Sequence, residues 1–340
     1  MIGIRVDANE YIASGHVMRC MSIACEIVKY GDKCIFITTD SNTETMIKDR
    51  GFDCICFEGY WNNLDLEIGK IAKLITELRI DKLLIDSYYA TDTYFKELCK
   101  ITKVIYIDDL YKIKHPIHML INYGINVDKK YYEDVFCGQT KLFLGGDYVP
   151  LREEFKNIKP KFRNEVKKIL ITTGGSDPHN ITKVILEKIV DNISFKEMEI
   201  IVVAGKMNTN IIELQQFAKK YNNVKLFQNT SKMSELMLES DIAITAGGTT
   251  MCELCACERP MVVFSFADNQ IEGIKAFENK KAIIYVGDCR NNVSEVGCRI
   301  IEKLVDLINN IEYRKELTSN TKGIINKNGA EKIADIIRRL

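Results

Sequence analysis

The chain contains only four histidines, and His16 stands in Ser14-Gly15-His16-Val17-Met18-Arg19-Cys20, after a glycine and before an apolar helical run. That placement puts the imidazole at a helix N-terminus. A neutral histidine facing a cleft there is a competent general base, and a histidine that caps its own helix is the alternative. Arg19 shares that helical face, suited to an anionic substrate or to pairing with Asp7. Asp7-Ala8-Asn9 closes the strand-like Ile2-Gly3-Ile4-Arg5-Val6 and leaves Asp7 and Asn9 as polar groups at a strand end. Asp86-Ser87-Tyr88-Tyr89 and Asp108-Asp109 also stand where strands end, the rim at which parallel sheets bind ligands. Tyr88 and Asp109 there suit a sugar, with helix capping as the other use of the aspartates. Asp268-Asn269-Gln270 is a third polar rim group, again with an N-cap as its alternative.

A second set of residues suits phosphate. Ala246-Gly247-Gly248-Thr249-Thr250 follows an apolar strand and opens a helix, so free backbone N–H groups and two hydroxyls meet at a helix N-terminus. A tight turn that needs small residues reads the same double glycine without a ligand. Glu253, one turn into that helix, is placed to accept hydrogen bonds from two ribose hydroxyls, or else is a surface carboxylate. Thr173-Gly174-Gly175-Ser176-Asp177-Pro178 repeats the order of strand, glycines and helix, with Ser176 or Asp177 as a cap being the plain alternative. Asn229-Thr230-Ser231-Lys232-Met233 follows another strand end; it offers backbone groups to a base edge, or a simple cap.

These loops must be held by regular elements, and the chain supplies them twice. Apolar runs at 2–6, 34–38, 54–57, 82–86 and 104–107 alternate with amphipathic stretches, which indicates a parallel sheet covered by helices. After a less regular passage from His115 to Pro160 the alternation restarts at Lys168 and continues through 199–203, 224–227, 241–245, 261–264 and 282–286. At 340 residues the chain has the length of two domains. The charged, proline-containing stretch from Phe155 to Phe162 is the expected linker, with a first domain over 1–158 and a second over 159–340. The last helix, Ala330 to Leu340, suits either domain. Two such domains with their glycine loops facing each other make a central cleft.

Composition excludes other classes. Apolar residues are 46% and charged residues 28% of the chain, so it is neither disordered nor fibrous. Lys plus Arg and Asp plus Glu are 47 each, which leaves no global footprint for nucleic acid or an anionic membrane. No apolar run is long enough to span a bilayer and no signal-peptide pattern opens the chain, so a cytoplasmic protein is expected. Twelve cysteines are dispersed, several inside apolar runs, and read as reduced packing thiols. Cys252, Cys255 and Cys257 form the one dense cluster, without a second ligand pair at zinc spacing. Neither a metal nor a cofactor is expected.

Arg5-Val6-Asp7-Ala8-Asn9, Gly15-His16-Val17-Met18-Arg19-Cys20, Gly174-Gly175-Ser176-Asp177, Ala246-Gly247-Gly248-Thr249, Glu253-Leu254-Cys255-Ala256-Cys257 and Ala267-Asp268-Asn269-Gln270 together resemble one family over nearly the whole chain. It is the UDP-2,4-diacetamido-2,4,6-trideoxy-β-L-altropyranose hydrolases of pseudaminic acid biosynthesis, to which spore-coat polysaccharide proteins are related. The resemblance implies a GT-B fold of two Rossmann-like domains, similar to the glycosyltransferase that completes lipid II. It also implies an inverting transfer of the glycosyl group to water, with His16 as base, Tyr88 and Asn269 in the sugar site and Glu253 at the ribose. Met233 is implied as the backbone reader of uracil, and Gly248, Thr249 and Thr250 as the diphosphate seat. Ala13-Ser14 departs from the glycine-rich spacing usual before the Gly-His pair. An inverting glycosyltransferase with a hydroxyl acceptor is the alternative activity. The partner implied is a small-molecule UDP-sugar.

Overall fold

A computed structural model describes residues 1–9, 14–228 and 230–340. Ala13 and Asn229, named above, lie outside the described residues. The chain divides into two compact units, residues 1–153 with 328–340, and residues 154–327.

The first unit is built on β1 (Ile2–Val6), β2 (Cys34–Thr38), β3 (Asp53–Cys56), β4 (Lys82–Asp86), β5 (Lys103–Ile107), β6 (Met119–Asn122) and β7 (Lys141–Leu144). The sheet order is β3-β2-β1-β4-β5-β6-β7, and these pairings are all parallel. Its helices are α1 (Gly15–Lys29), α2 (Ser41–Lys48), α3 (Ile68–Glu77), α4 (Asp92–Leu98) and α5 (Lys129–Phe136). The passage that looked irregular from His115 onward therefore holds β6, α5 and β7. Each of these strands has only four residues, too few to establish a period against their polar flanks.

The second unit follows the same plan. Its sheet is β8 (Lys168–Thr172), β9 (Glu199–Ala204), β10 (Val224–Gln228), β11 (Ile242–Ala246), β12 (Met261–Ser265) and β13 (Ile284–Asp288), parallel in the order β10-β9-β8-β11-β12-β13. Covering it are α6 (Ile181–Val190), α7 (Ile211–Lys220), α8 (Met233–Glu239), α9 (Thr249–Ala256), α10 (Asp268–Asn279), α11 (Val293–Asn309) and α12 (Ile311–Thr321). The linker expected at 155–162 starts with a fully buried side chain, Phe155. The division falls instead between Glu153 and Glu154.

The last helix, α13 (Gly329–Arg338), belongs to the first unit and packs on α1. Ile333, Ala334 and Ile337 are fully buried in a core with Ile4, Val17, Ile23 and Ile105. Gly329 makes that docking close, since a Cβ there would fall on the Val149 backbone.

In each sheet the strand order reverses once, between β1 and β4 and between β8 and β11. At such a switch point the following loops diverge to opposite faces and leave a crevice at the carboxyl ends of the strands. Asp7 and the Ser87–Tyr88 segment lie at the first. The Gly174–Gly175 and Gly247–Gly248 loops lie at the second.

Candidate active site

In the first unit α1 determines which side chains meet. Val17, Cys20, Ala24 and Ile27 form its buried apolar stripe, and His16 and Arg19 are buried alongside them. Spacing of three residues puts the imidazole and the guanidinium on one face, directed at the end of β4. There the His16 Nδ1 lies 2.5 Å from Asp86 Oδ1. Arg19 grips the same carboxylate with two bonds, Nε to Oδ2 and Nη2 to Oδ1, both at 2.5 Å. Its Nη1 donates to Asp109 Oδ2 at 2.9 Å and also to the Tyr123 hydroxyl. Tyr88 stands edge-on to the His16 ring with centroids 4.5 Å apart, its hydroxyl 3.5 Å from Asp109 Oδ2.

Burial opposes ionisation of Asp86, but Arg19 and then His16 outweigh it and hold the carboxyl well below the usual range. Asp86 is thus an anion at neutral pH and accepts the proton on His16 Nδ1. Arg19 Nη2 also lies 3.2 Å from the same nitrogen, and the proton is placed on Nδ1 because a carboxylate can only accept, which leaves Nε2 as the basic lone pair. Arg19, whose burial is outweighed by Asp109 and Asp86, stays charged. Its donors hold carboxylates and a tyrosine within the protein, so its place is to position Asp86 and Asp109. The pairing with Asp7 weighed for Arg19 does not occur, because Arg5 takes that carboxylate.

Asp7 is buried, with Oδ2 accepting from Arg5 Nη1 at 2.5 Å and Oδ1 from Thr38 Oγ1 and the Thr39 backbone N–H. It buttresses the ends of β1 and β2 beneath the rim. Asn9 is half-buried just past β1. Gly15 opens α1 with nothing within 4 Å of where a Cβ would stand.

Of the neighbouring aspartates, Asp108 is the structural one. It is fully buried, accepts the backbone N–H groups of Leu110 and Tyr111, and takes the Tyr132 hydroxyl at 2.6 Å. His118 is likewise structural, its Nδ1 accepting the Val104 N–H.

In the second unit Gly247 is buried at the end of β11, and a Cβ there would stand 2.6 Å from Ile274 Cδ1 of α10. Gly248 caps α9 at φ 153°. Thr249 and Thr250 then present hydroxyls and first-turn N–H groups, which an α-helix leaves without internal acceptors. Glu253 is half-buried one turn on, on the same side as Thr249 and Thr250. Gly174 takes φ 83° after β8, followed by Gly175. Beside them Asp177 satisfies the start of α6, accepting from the Ile181 and Thr182 N–H groups at 3.0 Å, while Asn180 holds the N-cap position. Met233 begins α8 and is buried, and the next residue's N–H is taken by Glu154 Oε2 at 2.8 Å. Asn269 is exposed in the first turn of α10, behind Asp268, which pairs with Arg290 at 2.6 Å.

The structure thus joins His16, Arg19, Tyr88 and Asp109 in one cluster of the first unit. It places the Gly174, Gly175, Gly247, Gly248, Thr249, Thr250 and Glu253 set at the switch point of the second. Sequence reasoning placed Asp86 on the rim but missed it as the partner of His16, and missed Tyr123. The thiols of Cys252, Cys255 and Cys257 pack along and just after α9, and burial pushes the first and last up to about 12. Among the described residues no three His, Cys, Asp or Glu side chains converge as metal ligands.

Residues 169–338, half of the chain, match the glycosyltransferase family 28 C-terminal domain. The chain belongs to this family. An uncharacterized protein of Methanocaldococcus jannaschii is 28% identical over 95% of this chain and 69% of its own length. The UDP-2,4-diacetamido-2,4,6-trideoxy-β-L-altropyranose hydrolase of Campylobacter jejuni is 24% identical, over 78% of this chain and 92% of its own. MurG of Acinetobacter baumannii superposes with a TM-score of 0.68 over 100% of this chain and 99% of its own, at 13% identity. The family 28 chain is therefore built from two Rossmann-like α/β domains of the GT-B class, and it is an enzyme of that nucleotide-sugar family. Among the described residues no helix is long and apolar enough to cross a membrane.

Proposed function

We propose that the chain is a cytoplasmic hydrolase that cleaves a UDP-linked 2,4-diacetamido-2,4,6-trideoxyhexose at its anomeric carbon, releasing UDP and the free sugar for nonulosonic (pseudaminic) acid synthesis. The observation that carries the reading is the His16–Asp86 hydrogen bond, which leaves Nε2 as a base held in one orientation at a parallel-sheet switch point. Water gives a proton to His16 Nε2 as its oxygen bonds to the anomeric carbon. The bond from that carbon to the β-phosphate oxygen breaks, and its electron pair leaves with UDP. Asp86 stabilises the imidazolium so formed. In a single displacement the configuration inverts, and no covalent intermediate is required.

The second unit takes the nucleotide in this reading. The α9 N-terminus and the hydroxyls of Thr249 and Thr250 stabilise the charge growing on the β-phosphate. Glu253 accepts the ribose hydroxyls, Met233 reads uracil through its backbone, and Gly174 and Gly175 line the nucleotide. Tyr88, Asp109 and Asn269 contact the sugar, with Asn9 and Gly15 bordering it.

The family 28 domain favours one second reading, an inverting glycosyltransferase that passes the sugar to a hydroxyl acceptor. Incubation of UDP-linked 2,4-diacetamido hexoses without any acceptor separates the two. The hydrolase releases UDP and sugar in equal amounts at a rate proportional to enzyme, whereas a transferase releases neither until an acceptor is added.

A further inference from the structure

The two groups that hold Arg19 Nη1, Asp109 and Tyr123, stand on separate turns. Asp109 lies just past the end of β5 and Tyr123 just past the end of β6. The two strands are joined by backbone bonds as far as Asp108, whose N–H donates to the Ile121 carbonyl at 2.9 Å. Beyond that bond the spacing of the turns depends on side chains.

Tyr132 of α5 supplies the link. Its hydroxyl donates to Asp108 Oδ2 at 2.6 Å and accepts from Asn122 Nδ2 at 2.9 Å. The Oδ1 of each partner shapes a turn: that of Asp108 takes the Leu110 and Tyr111 N–H groups at 2.9 and 3.2 Å, and that of Asn122 takes the Gly124 N–H at 2.8 Å. One hydroxyl thus bridges the turn that carries Asp109 and the turn that carries Tyr123. Asp108, Asn122 and Tyr132 are all buried, where such bonds do not compete with solvent. Burial pushes the Asp108 carboxyl up, and the Tyr132 hydroxyl opposes that shift. The tyrosine ring is held separately, stacked on Tyr111 with centroids 5.0 Å apart and on Phe136 at 6.2 Å.

From the two turns the connection runs inward through Arg19. Its Nη1 bonds, and the Tyr123 ring 5.2 Å from its guanidinium carbon, set the angle at which Nε and Nη2 meet Asp86. A competing arrangement is close at hand, because Nη2 also lies 3.2 Å from His16 Nδ1. A guanidinium that swung off Asp86 would donate to that nitrogen, which puts the imidazole proton on Nε2 and removes the basic lone pair.

We propose that Tyr132 is a positioning residue, whose hydroxyl fixes the spacing of the Asp109 and Tyr123 turns and, through Arg19 and Asp86, keeps His16 in its Nδ1–H tautomer. Its part in the reaction rests on the hydrolase reading, but the tautomer is read without substrate.

Imidazole nitrogen NMR on the full chain in mildly alkaline buffer distinguishes Nδ1–H from Nε2–H, and with four histidines the His16 signals are assigned by their loss in His16→Asn. Wild type should show the Nδ1–H form alone. Tyr132→Phe keeps the ring and should show both tautomers, with kcat lowered by about ten- to a hundredfold, as misplacement of a reacting group by up to about an ångström does. Asn122→Ser attacks the same link from its other side and should shift the tautomer in the same direction, so the test does not depend on the folding of one variant. Tyr94→Phe removes another buried hydroxyl from a buried carboxylate, that of Glu67, and should leave His16 as in the wild type. A single Nδ1–H form in both link variants, mixed tautomers in Tyr94→Phe, or an undiminished kcat in Tyr132→Phe would overturn the positioning role. The expected tautomer changes in a protein that releases no UDP from any UDP-sugar would leave the hold on His16 standing and remove the hydrolase.

Discussion

At the scale of single residues the account depends on an imidazole held by a buried anion. His16→Asn should lower kcat by about a hundred- to ten-thousand-fold, the usual worth of a general base, and leave UDP affinity within a few fold. Steady-state kinetics beside calorimetry with UDP would check both, and near-normal turnover would remove His16 from the mechanism. Asp86 makes a separate prediction about pH. Its folded carboxyl titrates below its unfolded value, so its contribution to stability is complete above roughly pH 4, the ordinary aspartate value, and is lost as pH falls through the lower folded value. Asp86→Asn leaves the buried Arg19 guanidinium with less compensation, at a cost on the order of 3–5 kcal/mol near neutrality. Urea unfolding at a series of pH values should show the gap between wild type and variant narrowing below about pH 4; a constant gap would mean that the carboxylate charge is not what stabilises. His16 and Arg19 were legible in the sequence because glycine, histidine and arginine stand together at a helix start. Their partner was not, because the His16–Asp86 contact spans 70 positions and exists only once β4 has crossed over to lie beside β1.

At the scale of elements, the strands that alternate with full helices could be read from apolar periodicity to within a residue or two. β6 and β7 could not, because two four-residue strands, one between His118 and Tyr123 and the other between Thr140 and Gly145, carry no period of their own. Loop packing was equally hidden. Gly205, just past β9, attracts no notice in the sequence, yet a Cβ there would fall on the carbonyl oxygens of Gly174 and Gly175. The loop that follows β8 is thus shaped by the loop that follows β9. Gly205→Ala should cost about 1–3 kcal/mol, as overpacking does, and should weaken UDP binding if the Gly174–Gly175 turn lines the nucleotide. Thermal unfolding and UDP calorimetry report the two effects separately, and an unchanged Kd in a destabilised variant would take that turn out of the nucleotide site.

For the whole molecule, the last thirteen residues, 328–340, complete the core of the unit formed by the first part of the chain. The apolar face of that helix was visible in the sequence, but an amphipathic helix fits any matching groove, so its destination was not. Ile333→Ala should cost about 2–5 kcal/mol and accelerate hydrogen exchange in α1, where α13 packs, while α6 and α11 of the second unit keep their protection. Equal acceleration in both units would mean that the helix is not a local part of the first core. The measurement that tests the central claim most directly is hydrolysis of the UDP-linked 2,4-diacetamido sugar in oxygen-18 water without an acceptor, with both products weighed by mass spectrometry. Attack by His16-activated water on the anomeric carbon predicts one labelled oxygen in the free sugar and none in UDP. Label in the β-phosphate of UDP would place the attack at phosphorus and contradict the account.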